Sequence, residues 1–253
     1  MKLRVLGCYG GSASGMHPTC FLLDDRVAID AGALTSGLSV PEQARVDHVF
    51  LSHAHLDHFA TLPYLLDNVF CQRDEPVRLH GCPHALENMR AHVFNDVIWP
   101  DFSKLNNGRT DLLEYVPFPL GARVQVGEVA ITTVAMDHTV PCAGYLLQGP
   151  ETSVALCGDT QGVDTLVQAL PQARGLAAII LEVSFPDAEL EVARVSAHLT
   201  PASFARALEQ LPADVPVYVT HIKPTFVDVV RAELEALGDA RIRFLEQGRE
   251  YTF

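Results

Sequence analysis

Apolar residues fall along this chain in two periods. Short runs rich in β-branched and aromatic residues predict strands over Lys2–Leu6, Thr19–Leu23, Arg26–Ile29, Val46–Leu51 and Val77–His80. A second series covers Glu114–Val116, Arg123–Val126, Val129–Val134, Ala143–Gln148, Ser153–Cys157, Leu176–Leu181, Val215–Thr220 and Arg241–Leu245. Other stretches repeat at helical spacing. Phe59, Leu62, Leu65, Leu66 and Val69 predict a helix from Phe59 to Phe70, and Leu86, Met89 and Val93 predict one over Pro83–Asn95. Further helices are expected at Leu166–Leu170, from Thr200-Pro201 to Leu211 with proline in the first turn, and at Val227–Leu237. Two successive sets of strands and helices predict two sheets packed face to face with helices outside.

The polar residues that interrupt this pattern gather where strands stop. Ser52-His53-Ala54-His55-Leu56-Asp57-His58 follows the Val46–Leu51 strand and precedes the first long helix. His53 and His55 lie two apart, so in an extended segment they point the same way and can grip one ion. Asp57 and His58 fall where the chain turns, aimed towards a second ion beside the first. Imidazole suits zinc, iron and manganese, and a carboxylate can join or bridge them. Later strands end on His138, Asp159, Glu182 and His221, and His198 lies just before a helix. The strand Arg26–Ile29 ends in Asp30-Ala31-Gly32, where Asp30 either orients a metal site or forms a turn. His80, His84 and His92 stand singly and read as structural or solvated.

Composition narrows the partners. The 253 residues carry a formal net charge of −13, which disfavours long nucleic acids. A small anionic substrate fits if metal ions supply local positive charge. The six cysteines form no Cys-x-x-Cys pair and read as reduced, mostly buried thiols. No apolar run approaches a membrane span, and the N-terminus lacks a signal-peptide profile, so no membrane contact and a cytoplasmic location are expected. Gly7–Gly15 is glycine-rich without the ending of a phosphate loop, and reads as a flexible turn beside the site. An apolar insertion around residues 96–113 contains the only tryptophan, Trp99, and reads as a lid, a dimer contact or a core plug.

The string His53-x-His55-x-Asp57-His58 after a strand resembles the metal-binding signature of the metallo-β-lactamase superfamily. The resemblance implies an α/β fold, the four-layer αββα sandwich, as one hydrolase domain over residues 1–253. His138, Gly158-Asp159-Thr160 and Thr220-His221 are similar to the later metal motifs of phosphodiesterases with this fold. By that likeness His53, His55, His138 and Asp159 hold one divalent ion. Asp57, His58, Asp159 and His221 hold the other, with zinc expected first and manganese or iron as alternatives. Glu182-Val183-Ser184-Phe185 and His198-Leu199-Thr200 resemble the glutamate–histidine pair of ribonuclease Z and its relatives. Within this branch the chain looks most like the class II cyclic-nucleotide phosphodiesterases. Val97-Ile98-Trp99-Pro100 and Thr220-His221-Ile222-Lys223-Pro224 add to that likeness. One departure is Thr61, where the family tends to carry glycine.

The resemblance implies hydrolysis of cyclic AMP or cyclic GMP to the 5′-monophosphate. Asp57 would position the attacking hydroxide, His198 held by Glu182 would protonate the leaving oxygen, and Lys223 would meet the phosphate as a point charge. Family likeness and the apolar insertion also suggest a homodimer. Three other readings compete: a ribonuclease Z, a β-lactamase or lactonase, and a non-catalytic metal or nucleotide binder. Ribonuclease Z grips tRNA through a long arm between the third-ligand histidine and the bridging aspartate. Here a single hairpin is expected between His138 and Asp159.

Overall fold

A computed structural model describes residues 1–253. Its strands are β1 (Lys2–Gly7), β2 (Cys20–Leu23), β3 (Val27–Ile29), β4 (His48–Leu51), β5 (Val77–Gly81), β6 (Leu113–Pro117) and β7 (Arg123–Val126), then β8 (Val129–Met136), β9 (Cys142–Gln148), β10 (Ser153–Leu156), β11 (Leu176–Glu182), β12 (Val217–Thr220), β13 (Ile242–Phe244) and β14 (Glu250–Thr252). They form two seven-stranded sheets, ordered β14-β1-β2-β3-β4-β5-β6 and β13-β12-β11-β10-β9-β8-β7. In each sheet antiparallel hairpins feed a parallel run, β3 to β6 in the first and β10 to β13 in the second.

The strand sequences explain the layering. Along β2, Phe21 and Leu23 enter the core between the sheets, while Cys20 and Leu22 pack under the helices on the outer face. Strand β11 divides the same way, Ala178 and Ile180 inward, Ile179 and Leu181 outward. Alternate side chains take opposite faces, and both faces are buried, so these strands read as continuous apolar runs. Each large side chain so buried contributes about 1.5–3 kcal/mol. Three cores result, one between the sheets and one beneath the helices on each side. This is the expected four-layer αββα sandwich.

The outer layers are short helices: α1 (Leu34–Gly37), α2 (Val40–Gln43), α3 (Leu56–Phe59), α4 (Leu62–Val69), α5 (Pro83–Asn88), α6 (Asp164–Ala169), α7 (Leu190–Val195), α8 (Pro201–Leu208) and α9 (Val227–Ala236). Helix α4 buries Leu62, Leu65, Leu66 and Val69, the stripe expected of it. Thr200 caps α8 through a capping box with Ser203, and Pro201 occupies its first turn. Helices α1, α2 and α7 were not expected from the pattern; α1 and α2 are single turns, too short to show a period. The helix expected over Pro83–Asn95 is α5 followed by a π-helical turn over Met89–Val93. The segment after β13 returns to the other sheet, where β14 pairs with β1. The insertion around residues 96–113 divides its roles. Phe102 and Leu112 plug the outer core, while Val97 and Ile98 form an exposed tip. No helix is long and apolar enough to cross a membrane.

His80 lies inside the sandwich. Its ring stacks on Phe50 at 4.2 Å, and its Nε2 is 2.9 Å from His48 Nδ1. Burial, then the facing charges of His48 and Arg78, push His80 down to about 3. His48 is lowered too, by burial and by Arg78, although Asp47 opposes. Both rings are therefore neutral in the fold and protonate on unfolding. Their contribution to stability is complete above the ordinary histidine value of about 6.5 and is lost as pH falls below it. His80→Phe should flatten the loss of stability between about pH 6 and pH 4 by up to ~1.4 kcal/mol per pH unit, measured by urea unfolding at several pH values. An unchanged slope would exclude the buried neutral ring as its source.

Candidate metal centre

The site occupies one rim of the sandwich, where the chain leaves β3, β4, β8, β10, β11 and β12. Six segments distant in sequence converge there. The one that departs β4 carries His53, His55, Asp57 and His58 into α3. The segments after β8, β10 and β12 deliver His138, Asp159 and His221. His221 adopts a φ of 64°, and Asp30, just past β3, one of 57°. Both are strained for residues with a Cβ, and such strain persists where surrounding contacts hold it.

Ligand atoms of His53, His55, His138 and Asp159 all lie within 4.8 Å of one another. Those of Asp57, His58 and His221 form a second such group. Asp159 lies between the two. Its Oδ2 is 3.7 Å from His53 Nε2, 3.9 Å from His138 Nε2 and 3.3 Å from His58 Nε2, and its Oδ1 is 3.3 Å from His221 Nε2. Nitrogens also face nitrogens: His58 Nε2 and His221 Nε2 are 3.2 Å apart, and His138 Nε2 is 3.3 Å from His55 Nδ1. His53 Nε2 is buried without a hydrogen-bond partner. Lone pairs converging on shared space, with carboxylates among them, suit divalent cations, and the overlapping clusters fit a dinuclear metal site.

The outward-facing nitrogens of His53, His58, His138 and His221 are held. His58 Nδ1 donates to Asp30 Oδ2 at 2.7 Å, and Asp30 also accepts from the backbone NH and hydroxyl of Ser52. His53 Nδ1 lies 3.0 Å from Ser52 Oγ, and His138 Nδ1 donates to the carbonyl of Ala197 at 3.1 Å. His221 Nδ1 is 2.9 Å from Ser184 Oγ. Such partners fix each ring's tautomer and aim its other nitrogen inward. Of these supports, Asp30 was legible as one of two readings. Ser52, Ser184 and Ala197 were not singled out, because a serine inside a motif or an alanine before a histidine carries no spacing signal.

The glycine-rich segment is not the free turn expected. Tyr9 bridges to both Pro18 and Ile222. A Cβ on Gly10 would stand 2.7 Å from His221 Nδ1 and 2.5 Å from its carbonyl oxygen, so only glycine lets the segment press on that ring. Thr61 is held where it stands, because its amide and hydroxyl both donate to the Ala31 carbonyl.

Electrostatics follow from burial and neighbours. Burial keeps His53 well below the usual histidine value, reinforced by His58. Burial also opposes charge on His58, but Asp159 and Asp30 outweigh it and hold this ring well above that value. Asp57 is held below the usual carboxylate range despite burial, by the hydrogen bond with His221 and the charges of His58 and His221. Beside this group, His198 Nδ1 donates to Glu182 Oε1 at 2.6 Å. Burial opposes the charged form of His198, yet Glu182 raises its pKa above the ordinary value. A ligand atom of His198 lies within 4.8 Å of others on Asp159 and His221, so the pair borders both clusters. Lys223 Nζ is 3.8 Å from Asp57 Oδ2.

A β-lactamase superfamily domain model matches residues 26–222, spanning this rim from Asp30 to His221. The chain belongs to the metallo-β-lactamase superfamily. Among its relatives is a 3′,5′-cyclic-nucleotide phosphodiesterase of Aliivibrio fischeri, 26% identical over 98% of this chain and 91% of that protein. A ribonuclease Z of Macrococcus caseolyticus is 30% identical over 43% of this chain and 33% of its own length. The solved structure of the metallo-β-lactamase fold protein YhfI from Bacillus subtilis superposes with a TM-score of 0.78 at 19% identity, covering 99% of this chain and 98% of that one. Unliganded yeast PDE1 gives 0.78 at 18% identity over 98% of each chain. These superpositions establish the shared fold. The family match and the overlapping clusters together mark a metal-dependent hydrolase of this superfamily.

Proposed function

We propose that this superfamily member hydrolyses 3′,5′-cyclic nucleotides to 5′-monophosphates. The observation that carries the reading is the Glu182–His198 pair set against Asp159, the carboxylate that lies between the two ligand clusters. A charged His198 there would stand as a proton donor beside a bound phosphate ester. Likeness to the A. fischeri phosphodiesterase runs along 98% of the chain, whereas the ribonuclease Z matches cover between 43% and 60% of it. Between His138 and Asp159 the chain makes only the β9–β10 hairpin, closed where the Gly149 amide donates to Thr152. That leaves no place for an arm that grips tRNA.

In this reading His53, His55, His138 and Asp159 hold one ion, and Asp57, His58, Asp159 and His221 hold the other, zinc first and manganese or iron as alternatives. When bound, such ions would neutralise phosphate oxygens and lower the pKa of water between them. Asp57 orients the attacking water against phosphorus. The P–O3′ bond breaks in line with that attack. His198 gives its proton to the departing O3′, and Glu182 stabilises the charged ring beforehand. Lys223 meets a phosphate oxygen as a point charge, within reach of the same space as Asp57.

The test is one panel on the zinc- or manganese-loaded chain: cyclic AMP, cyclic GMP, bis(p-nitrophenyl) phosphate, a 3′-extended tRNA and a lactone. The expected result is turnover of the cyclic nucleotides and the aryl diester, with the tRNA and lactone intact. A protein holding two ions that leaves both cyclic nucleotides untouched would overturn the assignment.

A further inference from the structure

We infer that Ser184 is a positioning residue that couples the Glu182–His198 pair to the His221 half of the metal site. The inference rests on the two-ion reading above, but not on the identity of the substrate. Ser184 is fully buried at the end of β11. Its hydroxyl lies 2.8 Å from Glu182 Oε2, 2.9 Å from His221 Nδ1, 3.1 Å from His198 Nδ1 and 3.2 Å from the His221 carbonyl.

A hydroxyl has one proton to give and two lone pairs to receive. His198 Nδ1 has a shorter, charge-assisted partner in Glu182 Oε1 at 2.6 Å, so its proton goes there. The proton on His221 Nδ1 then has Ser184 Oγ as its acceptor. Ser184 in turn donates to Glu182 Oε2, the nearer of its two acceptors. The result is a continuous line: His221 Nδ1–H to Ser184, Ser184 to Glu182, and His198 Nδ1–H to the other oxygen of the same carboxylate. The Thr160 amide also donates to that other oxygen, at 2.9 Å.

Two further observations bear on how the outer nitrogen of His221 is held. Ser184 Oγ is the one hydrogen-bond partner of His221 Nδ1, and Gly10 packs on that side of the ring, where even a methyl group would collide. The matching ring in the same cluster, His58, is supported differently, by direct contact with Asp30 at 2.7 Å. His221 reaches its carboxylate only through Ser184. Removing the hydroxyl would leave a buried N–H and a buried carboxylate oxygen without partners, and free the ring to change tautomer.

The test needs no substrate. Zinc affinity is measured by chelator competition for the parent, Ser184→Ala and Glu182→Gln. Ser184→Ala should weaken one of the two ions by roughly 10–100-fold and leave the other unchanged. Glu182→Gln should weaken the same ion, although Glu182 is in neither ligand group, because its hold on His221 passes through Ser184. Anomalous diffraction from crystals at limiting zinc should place the loss beside His221 and not beside His55. Parental affinity for both ions in either variant would overturn the proposal. Glu182→Gln keeps the test decisive if Ser184→Ala fails to fold. A chain inactive on cyclic nucleotides but weakened in this pattern would refute the substrate and keep the coupling.

Discussion

Asp159→Ala is expected to strip both ions and abolish turnover together, the largest loss available from a single side chain. The reason is position. Asp159 places oxygens within 4 Å of His53, His58, His138 and His221, which belong to both ligand clusters. It is buried, so no water-exposed carboxylate can swing in to replace it. Its own charge is well supported: burial works against it, but His221 and His58 keep it well below the usual carboxylate range. Without it, facing imidazole nitrogens 3.2 Å and 3.3 Å apart lose the anion set among them. His55→Ala is the control. His55 is half-buried and belongs to one cluster only, so its loss should weaken one ion and spare the other. Metal content after gel filtration, read beside activity, separates the two variants. An Asp159→Ala protein that retains two ions per chain would show that the clusters do not share this carboxylate.

Why the ligand groups were legible and their supports were not comes down to which signals survive in one dimension. His53, His55, Asp57 and His58 stand within six positions on a strand-to-helix turn, so their spacing alone carries the chemistry. His138, Asp159 and His221 were legible because apolar runs marked the strands they follow, and parallel strands deliver their ends to one rim. Sheet layering was legible for the same reason, since β2 is apolar throughout and β11 is apolar up to Glu182, and such strands must be buried on both faces. Other features have no such signature. Ser184 matters through four distances that only the closed sandwich creates. Gly10 is needed for a contact with a residue at position 221. The π-helical turn at Met89–Val93 carries the same apolar spacing that predicted an ordinary helix. Strand β14 is three residues long and exists because β1 offers an edge.

His198→Ala is expected to retain both ions and to slow cyclic-nucleotide hydrolysis by roughly two to four decades. His198 Nδ1 is committed to Glu182, which leaves Nε2 as the atom that can face a substrate. Glu182 outweighs burial and raises the ring's pKa, so the ring keeps its proton to higher pH than a free histidine and can give it to a strongly basic leaving oxygen. The O3′ alkoxide of a cyclic nucleotide is such an oxygen. A p-nitrophenolate departs without a proton, so bis(p-nitrophenyl) phosphate should lose far less of its rate. The acid form is the active one, so parental activity should fall as pH rises through the raised pKa, and this alkaline limb should vanish in the variant. The metal count separates this role from a different one for the same residue. His198 also lies within ligand distance of Asp159 and His221, so a histidine that held an ion would cost the variant that ion and slow both substrates alike. Equal losses on the alkyl and aryl esters with one ion missing would make His198 a ligand; unequal losses with both ions present make it the acid.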